Sequence, residues 1–429
     1  MRFGHLRFDE KVRSETNSII LGPPGFGKSK LMENKMRQDL AARQPFCLID
    51  FHSPLFEDVK KWCVYSGYSD RRIIIVDPSQ GCYCKGTSIF KKKDGLDVGV
   101  QTSGMVEAVL SVWSVGSPDA YPVIYKLLKI LFTIVVQHDV SLDKAFIILA
   151  DKANLAQAIE KLHDPLISAL WGDLAKLSPS EWSKHVTPTI NKLFRVVQSK
   201  AIQRFMCLNK EDYNLELTFE DTILVNLGTS GSLDADSAKV FAALLLNQFY
   251  HCAKLRKGKL GKQPPPYFLY VDEWPLLPSR DFFRIAAETR KFGLLLTLAN
   301  QDLSQIRTVF GQGQAETLLT LFQAQFCFGG LNDTDATRLA REWGIPVEKL
   351  KALAQRECFA KLPRQQATKF KVEKMRTPFI MEKRLDKFER RIAEKTGALP
   401  VVQVDELLRK SYSEDKSKKD EWNDEDFAR

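Results

Sequence analysis

Short, wholly apolar runs alternate with stretches of helical spacing over the first eighty or so residues. Residues 19–21 (Ile-Ile-Leu), 46–49 (Phe-Cys-Leu-Ile) and 73–76 (Ile-Ile-Ile-Val) read as buried strands. Residues 28–39 and 55–62, with apolar positions three and four apart, read as the helices between them. That alternation predicts a mainly parallel sheet covered by helices. Near Gly95 to Gly104 the strand signals stop, and residues 105–208 run on helical periodicity, with Pro118, Pro122, Pro165, Pro179 and Pro188 near helix starts. Strand signals return at 222–227, a run ending in the turn Gly228-Thr229-Ser230-Gly231. A long helix over 236–255, a strand over 267–271, a helix near 282–291 and a strand over 294–299 follow. The organisation expected is a first part of an α/β core over 1–102, an inserted helical subdomain over 103–220, a second part of the core over 221–363, and a charged extension over 364–429. The extension carries a helix near 381–395 and an acidic tail from Ser411 expected to be disordered.

Between the first strand and the first helix stands Gly22-Pro23-Pro24-Gly25-Phe26-Gly27-Lys28-Ser29, the phosphate-loop pattern G-x-x-x-x-G-K-[ST] in the setting it requires. The glycines let backbone N–H groups close around the β- and γ-phosphates of ATP or GTP at a helix N-terminus, extending to Lys30, and Lys28 adds a point charge. The Ser29 hydroxyl can ligate Mg²⁺. The fold expected is therefore an α/β, RecA-like P-loop NTPase core with ATP and Mg²⁺ as ligands.

Residues 267–271 (Tyr-Phe-Leu-Tyr-Val) end abruptly in Asp272-Glu273. Carboxylates at the C-terminal end of a parallel strand face the ligand crevice, so Asp272 is placed to order Mg²⁺ and Glu273 to polarise the attacking water. The next strand ends in Asn300-Gln301, where Gln301 can report the γ-phosphate. An Asn or Asp that merely caps the following helix would give the same pattern.

Charge adds a partner to this picture. The 429 residues carry a net charge of +10 with a pI near 9.0, and Lys254, Arg256, Lys257, Lys259 and Lys262 crowd one loop while Lys91-Lys92-Lys93 form another cluster. Both are candidates for sequence-independent contact with DNA phosphates, although a basic loop is also an ordinary solvated turn. The longest apolar stretch, 123–136, holds Lys126 and Lys129 and falls short of the roughly 20 residues of a membrane span, so it predicts a buried helix. With no apolar leader at the N-terminus, a cytoplasmic chain without a membrane span is expected. Six of the eight cysteines are scattered singly among apolar neighbours as reduced core residues, and the lone pair Cys82-Tyr83-Cys84 lacks the second pair that a zinc site needs.

The order phosphate loop, helical insertion, Val271-Asp272-Glu273, Arg290-Lys291-Phe292-Gly293 and Leu298-Ala299-Asn300-Gln301 resembles the FtsK/HerA superfamily of hexameric DNA-pumping ATPases, nearest to HerA-type translocases and the motors of conjugative type IV coupling proteins. The likeness covers roughly Ser14 to Leu362; Asp50-Phe51-His52-Ser53 shares only its Asp and His with the family's Asp-Pro-His-Gly stretch. The resemblance implies that Arg290 reaches the γ-phosphate held by the neighbouring subunit of a homo-oligomeric ring, as an arginine finger. Such a guanidinium can neutralise charge developing on the transferred phosphoryl group, while an arginine at a helix end also complements the helix dipole. HerA-type proteins usually carry an N-terminal β-barrel and coupling proteins N-terminal membrane helices, and the chain is expected to have room for neither.

The reading is a ring-forming, Mg²⁺-dependent ATPase, a hexamer as the resemblance implies, that pumps DNA in transfer, processing or defence, working with a partner protein such as a nuclease, relaxase or other effector. The same site would serve a nucleotide-controlled assembly ring that recruits an effector without processive translocation, or a ring that remodels proteins. Stimulation of hydrolysis by long duplex DNA separates them.

Overall fold

The computed structural model describes residues 1–3, 6–113, 122–208, 213–228, 233–256, 262–277 and 281–417. Pro118, Lys257, Lys259 and the turn residues Thr229 to Gly231 lie outside them. The chain divides into two compact units. The first comprises residues 1–75, 218–228 and 256–391, and the second comprises 76–217, 229–255 and 392–429.

The first unit is built on a nine-stranded sheet: β1 (Ser18–Leu21), β2 (Phe46–Asp50), β3 (Ile73–Val76), β4 (Thr222–Asn226), β5 (Tyr267–Val271), β6 (Leu294–Asn300), β7 (Ala324–Phe328), β8 (Glu357–Lys361) and β9 (Thr368–Lys371). Their order is β9-β8-β7-β1-β6-β5-β2-β4-β3. The run β7-β1-β6-β5-β2-β4 is parallel, and β8 and β9 are antiparallel additions beside β7. The central strands are buried on both faces, as their unbroken apolar sequences require of a parallel sheet. β1 is flanked by β6 and β7, whereas its successor β2 lies beyond β5, so the connection from β1 passes over β6 and β5 and a crevice opens at the C-terminal edge beside β1. Register brings the strand ends level: Leu21 pairs with Asn300, and Val271 with both Leu298 and Ile49.

Under the phosphate-loop helix Lys28–Ala41 the core holds charge. Arg13 Nη2 donates to Asp39 Oδ2 (2.7 Å) and the Tyr270 hydroxyl donates to the same oxygen (2.6 Å). The Arg13 guanidinium also lies 3.7 Å over the Phe268 ring. Breaking such a buried pair one partner at a time leaves an uncompensated charge in the core, which is strongly destabilising. Beside it the Lys35 ammonium is fully buried, 3.2 Å from Ser18 Oγ and 3.4 Å from Thr297 Oγ1, and burial lowers its pKa to about 7.

The second unit is largely helical. Within it residues 98–206 form the helices Val98–Val112, Pro122–Gln137, Leu142–Ala150, Lys152–Leu162, Pro165–Ala175, Pro179–His185, Thr187–Val197 and Lys200–Met206, while residues 218–220 belong to the first unit. Proline does stand at the first turn of the helices begun by Pro165, Pro179 and Thr187. The unit also takes in residues 76–97, the long helix Ala235–Leu255 and the C-terminal helix Val401–Ser417, which docks through paired 2.8 Å bonds from Arg204 to Asp405. One expectation is corrected: residues 411–417, expected in a disordered tail, continue that C-terminal helix. Residues 418–429 lie outside the described residues. The apolar stretch around Leu127 to Val136 is a buried helix, and among the described residues no helix is long and apolar enough to cross a membrane.

Candidate active site

The phosphate loop leaves β1 at Leu21 and enters the helix Lys28–Ala41 at Lys28. Gly22 donates its N–H to the carbonyls of Asn300 (3.2 Å) and Gln301 (3.1 Å), tying the loop's start to the end of β6. Gly25 (φ +80°) and Gly27 (φ +114°) take backbone conformations that side chains rarely adopt, which turns the chain into the concave run of N–H groups that binds anions. No side chain caps the helix at Gly27, so its first N–H groups point at the loop.

Three predicted residues from the strand ends, Asp272, Glu273 and Gln301, converge on Lys28 and Ser29 of this loop. Ser29 Oγ donates to Asp272 Oδ2 at 2.9 Å. Lys28 Nζ lies 3.3 Å from the Pro23 carbonyl and 3.7 Å from Glu273 Oε1. Gln301 Nε2 lies 3.5 Å from the same Glu273 oxygen. Asp272 is 6% exposed, and burial pushes its carboxyl above the usual carboxylate range, reinforced by the adjacent Glu273 charge and opposed by the Ser29 hydrogen bond and Lys28. Such a carboxylate fits a divalent cation, which supplies the charge the site lacks. Asp50 closes the far side as a buried carboxyl accepting from the N–H groups of His52 and Phe56 (both 2.9 Å), and it is occupied in shaping that turn.

Glu273 adopts φ +51°, ψ +47°, an uncommon left-handed conformation for a glutamate. What holds it there is Trp274, fully buried, stacked on Phe310 at 5.2 Å and edge-on to Phe282 at 5.4 Å. Phe310 ends the helix Leu303–Phe310 that begins two residues after Gln301, so one aromatic stack links Glu273 to the segment behind Gln301. That helix is in turn fixed by buried Asp335, which accepts from the Leu303 N–H and from Arg307 Nη1, both at 2.9 Å.

Arg290 does not join the group. It sits in the turn Arg290–Phe292 before β6, at the N-terminal end of the strand whose other end touches the phosphate loop. The seven residues of β6 rise about 3.3 Å each, so about 20 Å separates Arg290 from its own loop. Arg290 is exposed on that opposite edge. The turn itself is clamped: Arg256 Nη1 donates to the Phe292 carbonyl and Nη2 to the Pro265 carbonyl, each at 2.8 Å, with its guanidinium 4.5 Å over Phe219. Gly293 (φ +77°) packs so tightly that an added Cβ would lie 2.7 Å from the Pro265 carbonyl.

Arg256 is thus committed to the fold rather than offered to a nucleic acid, and burial lowers its pKa. Lys93 is likewise engaged, with Nζ 3.0 Å from the Ser88 carbonyl and 3.1 Å from Ser88 Oγ, whereas Lys91, Lys92 and Lys262 are exposed.

Sequence reasoning missed the loop's outer wall. β7 ends in Phe328-Gly329-Gly330, and the Phe328 side chain lies 2.7 Å from where a Cβ on Gly22 would sit. Before β8, Gln355 Nε2 donates to the Gly25 carbonyl (2.8 Å) and the Arg356 N–H to the Phe26 carbonyl (3.0 Å). An apolar run ending in two glycines was the signal available for β7; nothing local marks Gln355 and Arg356.

Comparison with known proteins agrees with this architecture. Residues 149–349 match a family model described as Type IV secretory system Conjugative DNA transfer, a span that includes Asp272, Glu273, Arg290 and Gln301 but not the phosphate loop. No curated protein matches the chain in sequence. Among solved structures, the plasmid coupling protein TrwB in complex with a non-hydrolysable ATP analogue aligns with TM-score 0.60 and 12% identity over 88% of this chain and 89% of that one. TrwB in complex with ADP and Mg²⁺ aligns with TM-score 0.57 and 14% identity over 86% and 88%. VirB4 of Thermoanaerobacter pseudethanolicus aligns with TM-score 0.54 and 12% identity over 84% and 89%. The chain therefore carries the α/β, RecA-like P-loop fold that these coupling-protein structures share.

Proposed function

We propose that the chain is a Mg²⁺-dependent ATPase that moves DNA through a homo-oligomeric ring, in the manner of conjugative DNA-transfer motors. The observation that carries the reading is the convergence of Lys28, Ser29, Asp272, Glu273 and Gln301 on one strand edge while Arg290 faces the opposite edge. The family model supports DNA transfer as the task, and the TrwB structures with an ATP analogue and with ADP and Mg²⁺ support the ligands.

In this reading the N–H groups from Gly22 to Lys30, Pro23, Pro24 and Phe26 included, cradle the polyphosphate, with Lys28 as its counter-charge. Ser29 and Asp272 would hold Mg²⁺, which neutralises charge on the phosphoryl oxygens. Lys28 is shared between Glu273 and the polyphosphate, so phosphate binding draws the ammonium away and leaves the Glu273 carboxylate to take the proton of the attacking water. Gln301, in reach of the same carboxylate, orients that water and passes the state of the site to the helix Leu303–Phe310. Arg290 completes the site of a neighbouring subunit, because its own loop is out of reach. A hexamer suits this geometry, and eight cysteines free of disulfides fit the reducing, ATP-supplied cytoplasm. Recruitment to a nuclease, relaxase or other effector falls to surfaces outside the site.

DNA-dependent hydrolysis tests the reading. ATP turnover should rise with long duplex DNA of any sequence, and the rise should fade steeply as salt increases. Hydrolysis indifferent to duplex and single-stranded DNA at low salt favours the effector-recruiting ring instead.

A further inference from the structure

The phosphate loop has two flanks. On the β6–β5 side stand Gln301, Glu273 and Asp272. On the β7–β8 side stand Phe328, Gln355 and Arg356, because β8 runs antiparallel and its N-terminal end lies at the edge where the parallel strands finish. Arg356 is built into that flank: its N–H donates to the Phe26 carbonyl at 3.0 Å, and its own carbonyl accepts from the Val372 N–H at 2.8 Å. Its Cγ lies 3.6 Å from the position a Cβ on Gly27 would take, immediately before the helix that receives the phosphates. The backbone sits at φ +68°, a left-handed conformation that strains a non-glycine residue. A glycine there would relieve the strain, yet the chain places its longest cationic side chain at the loop. The guanidinium has no hydrogen-bond or ion-pair partner among the described residues.

We infer that Arg356 is a cis-acting nucleotide-binding residue that holds the α-phosphate and nucleoside end of the bound nucleotide. The inference rests on the proposal that the loop binds ATP. A polyphosphate whose terminal phosphate faces Glu273 and Gln301 must leave the loop on the opposite flank, past the first turn of the helix Lys28–Ala41, and Arg356 is the cation on that flank. A planar guanidinium suits this position twice over, donating in pairs to a phosphate and stacking on a base. Because the α-phosphate and nucleoside are common to ATP and ADP, Arg356 serves binding rather than the hydrolytic step.

Three variants test it, read by the Kd of mant-ATP and mant-ADP and by Tm without nucleotide. Arg356→Gly keeps the left-handed backbone and both backbone hydrogen bonds, so Tm should hold or rise while both affinities fall about tenfold or more, with kcat at saturation within about twofold. Arg356→Gln should lose affinity similarly, and Arg356→Lys should recover part of it. Parent-like affinity for both nucleotides in Arg356→Gly and Arg356→Gln overturns the inference, as does a loss that tracks a fall in Tm across all three variants. Lys28→Ala run in parallel separates the two claims: if it too binds normally, the loop reading fails; if it alone loses binding, only the role of Arg356 fails.

Discussion

Ser29 and Asp272, 243 positions apart in sequence, share a 2.9 Å hydrogen bond from hydroxyl to carboxylate across the strand edge. In the proposed site this pair is where a divalent cation would find two oxygen donors of different strength. Replacing Ser29 with Ala should weaken ATP binding about tenfold when Mg²⁺ is present and leave it nearly unchanged in EDTA. Isothermal titration under the two conditions checks this, and equal losses in both would remove Ser29 from the metal site.

Lys28 and Glu273 are neighbours across 3.7 Å, and the proposed mechanism gives them different steps. Lys28→Ala should abolish hydrolysis and weaken nucleotide binding. Glu273→Gln should bind ATP as the parent does and hydrolyse it at least about a hundredfold more slowly. Single-turnover kinetics distinguish them; near-parent cleavage by Glu273→Gln would require another base.

Arg256 turns a charge that the sequence offered to DNA into a support for Arg290. Arg290→Ala should retain ATP affinity and lose hydrolysis, and Arg256→Ala should copy that pattern by releasing the turn Arg290–Phe292. Lysine at 256 should not restore the rate, because an ammonium cannot bridge two carbonyls as a planar fork does. Mixed with Lys28→Ala subunits, either variant should regain activity, since intact loops then face intact fingers. No recovery in verified mixed rings would contradict a role across subunits.

Buried Lys35 gives a pH signature. Its pKa is depressed by burial from 10.5 to about 7, so between these values the unfolded chain binds more protons than the folded one, and this residue's contribution to stability rises with pH across that window. Lys35→Met should therefore be stabilising near pH 7, with its advantage over the parent shrinking by up to about 1.4 kcal/mol per pH unit towards pH 10. Urea melts of both proteins across the range read the difference; a constant gap would mean the ammonium is not desolvated.

The phosphate loop and the Asp272-Glu273 strand end were legible because their chemistry is local: glycines, a lysine and carboxylates at the ends of apolar runs. Strands β1 to β6 were legible for the same reason, each being an apolar run between turn residues. The strands β7 to β9 were not: β7 carries Gln325 within its apolar run, β8 is only three apolar residues between Glu357 and Lys361, and β9, at the sheet edge, alternates polar and apolar positions and resembles charged loop. With them went Gln355 and Arg356, whose place beside Gly25 and Gly27 depends on antiparallel pairing rather than on neighbouring residues. Arg256 was misread for a related reason. Its charge is visible in the sequence, but the carbonyls of Phe292 and Pro265 that occupy it are not.

Movement along DNA is the central claim, and displacement of a triplex-forming oligonucleotide from a long duplex measures it most directly. The parent chain with ATP and Mg²⁺ should strip the third strand at a rate that depends on hydrolysis, while Lys28→Ala and Glu273→Gln leave it in place. A parent protein that hydrolyses ATP, binds the duplex and still leaves the third strand bound would contradict a translocating motor.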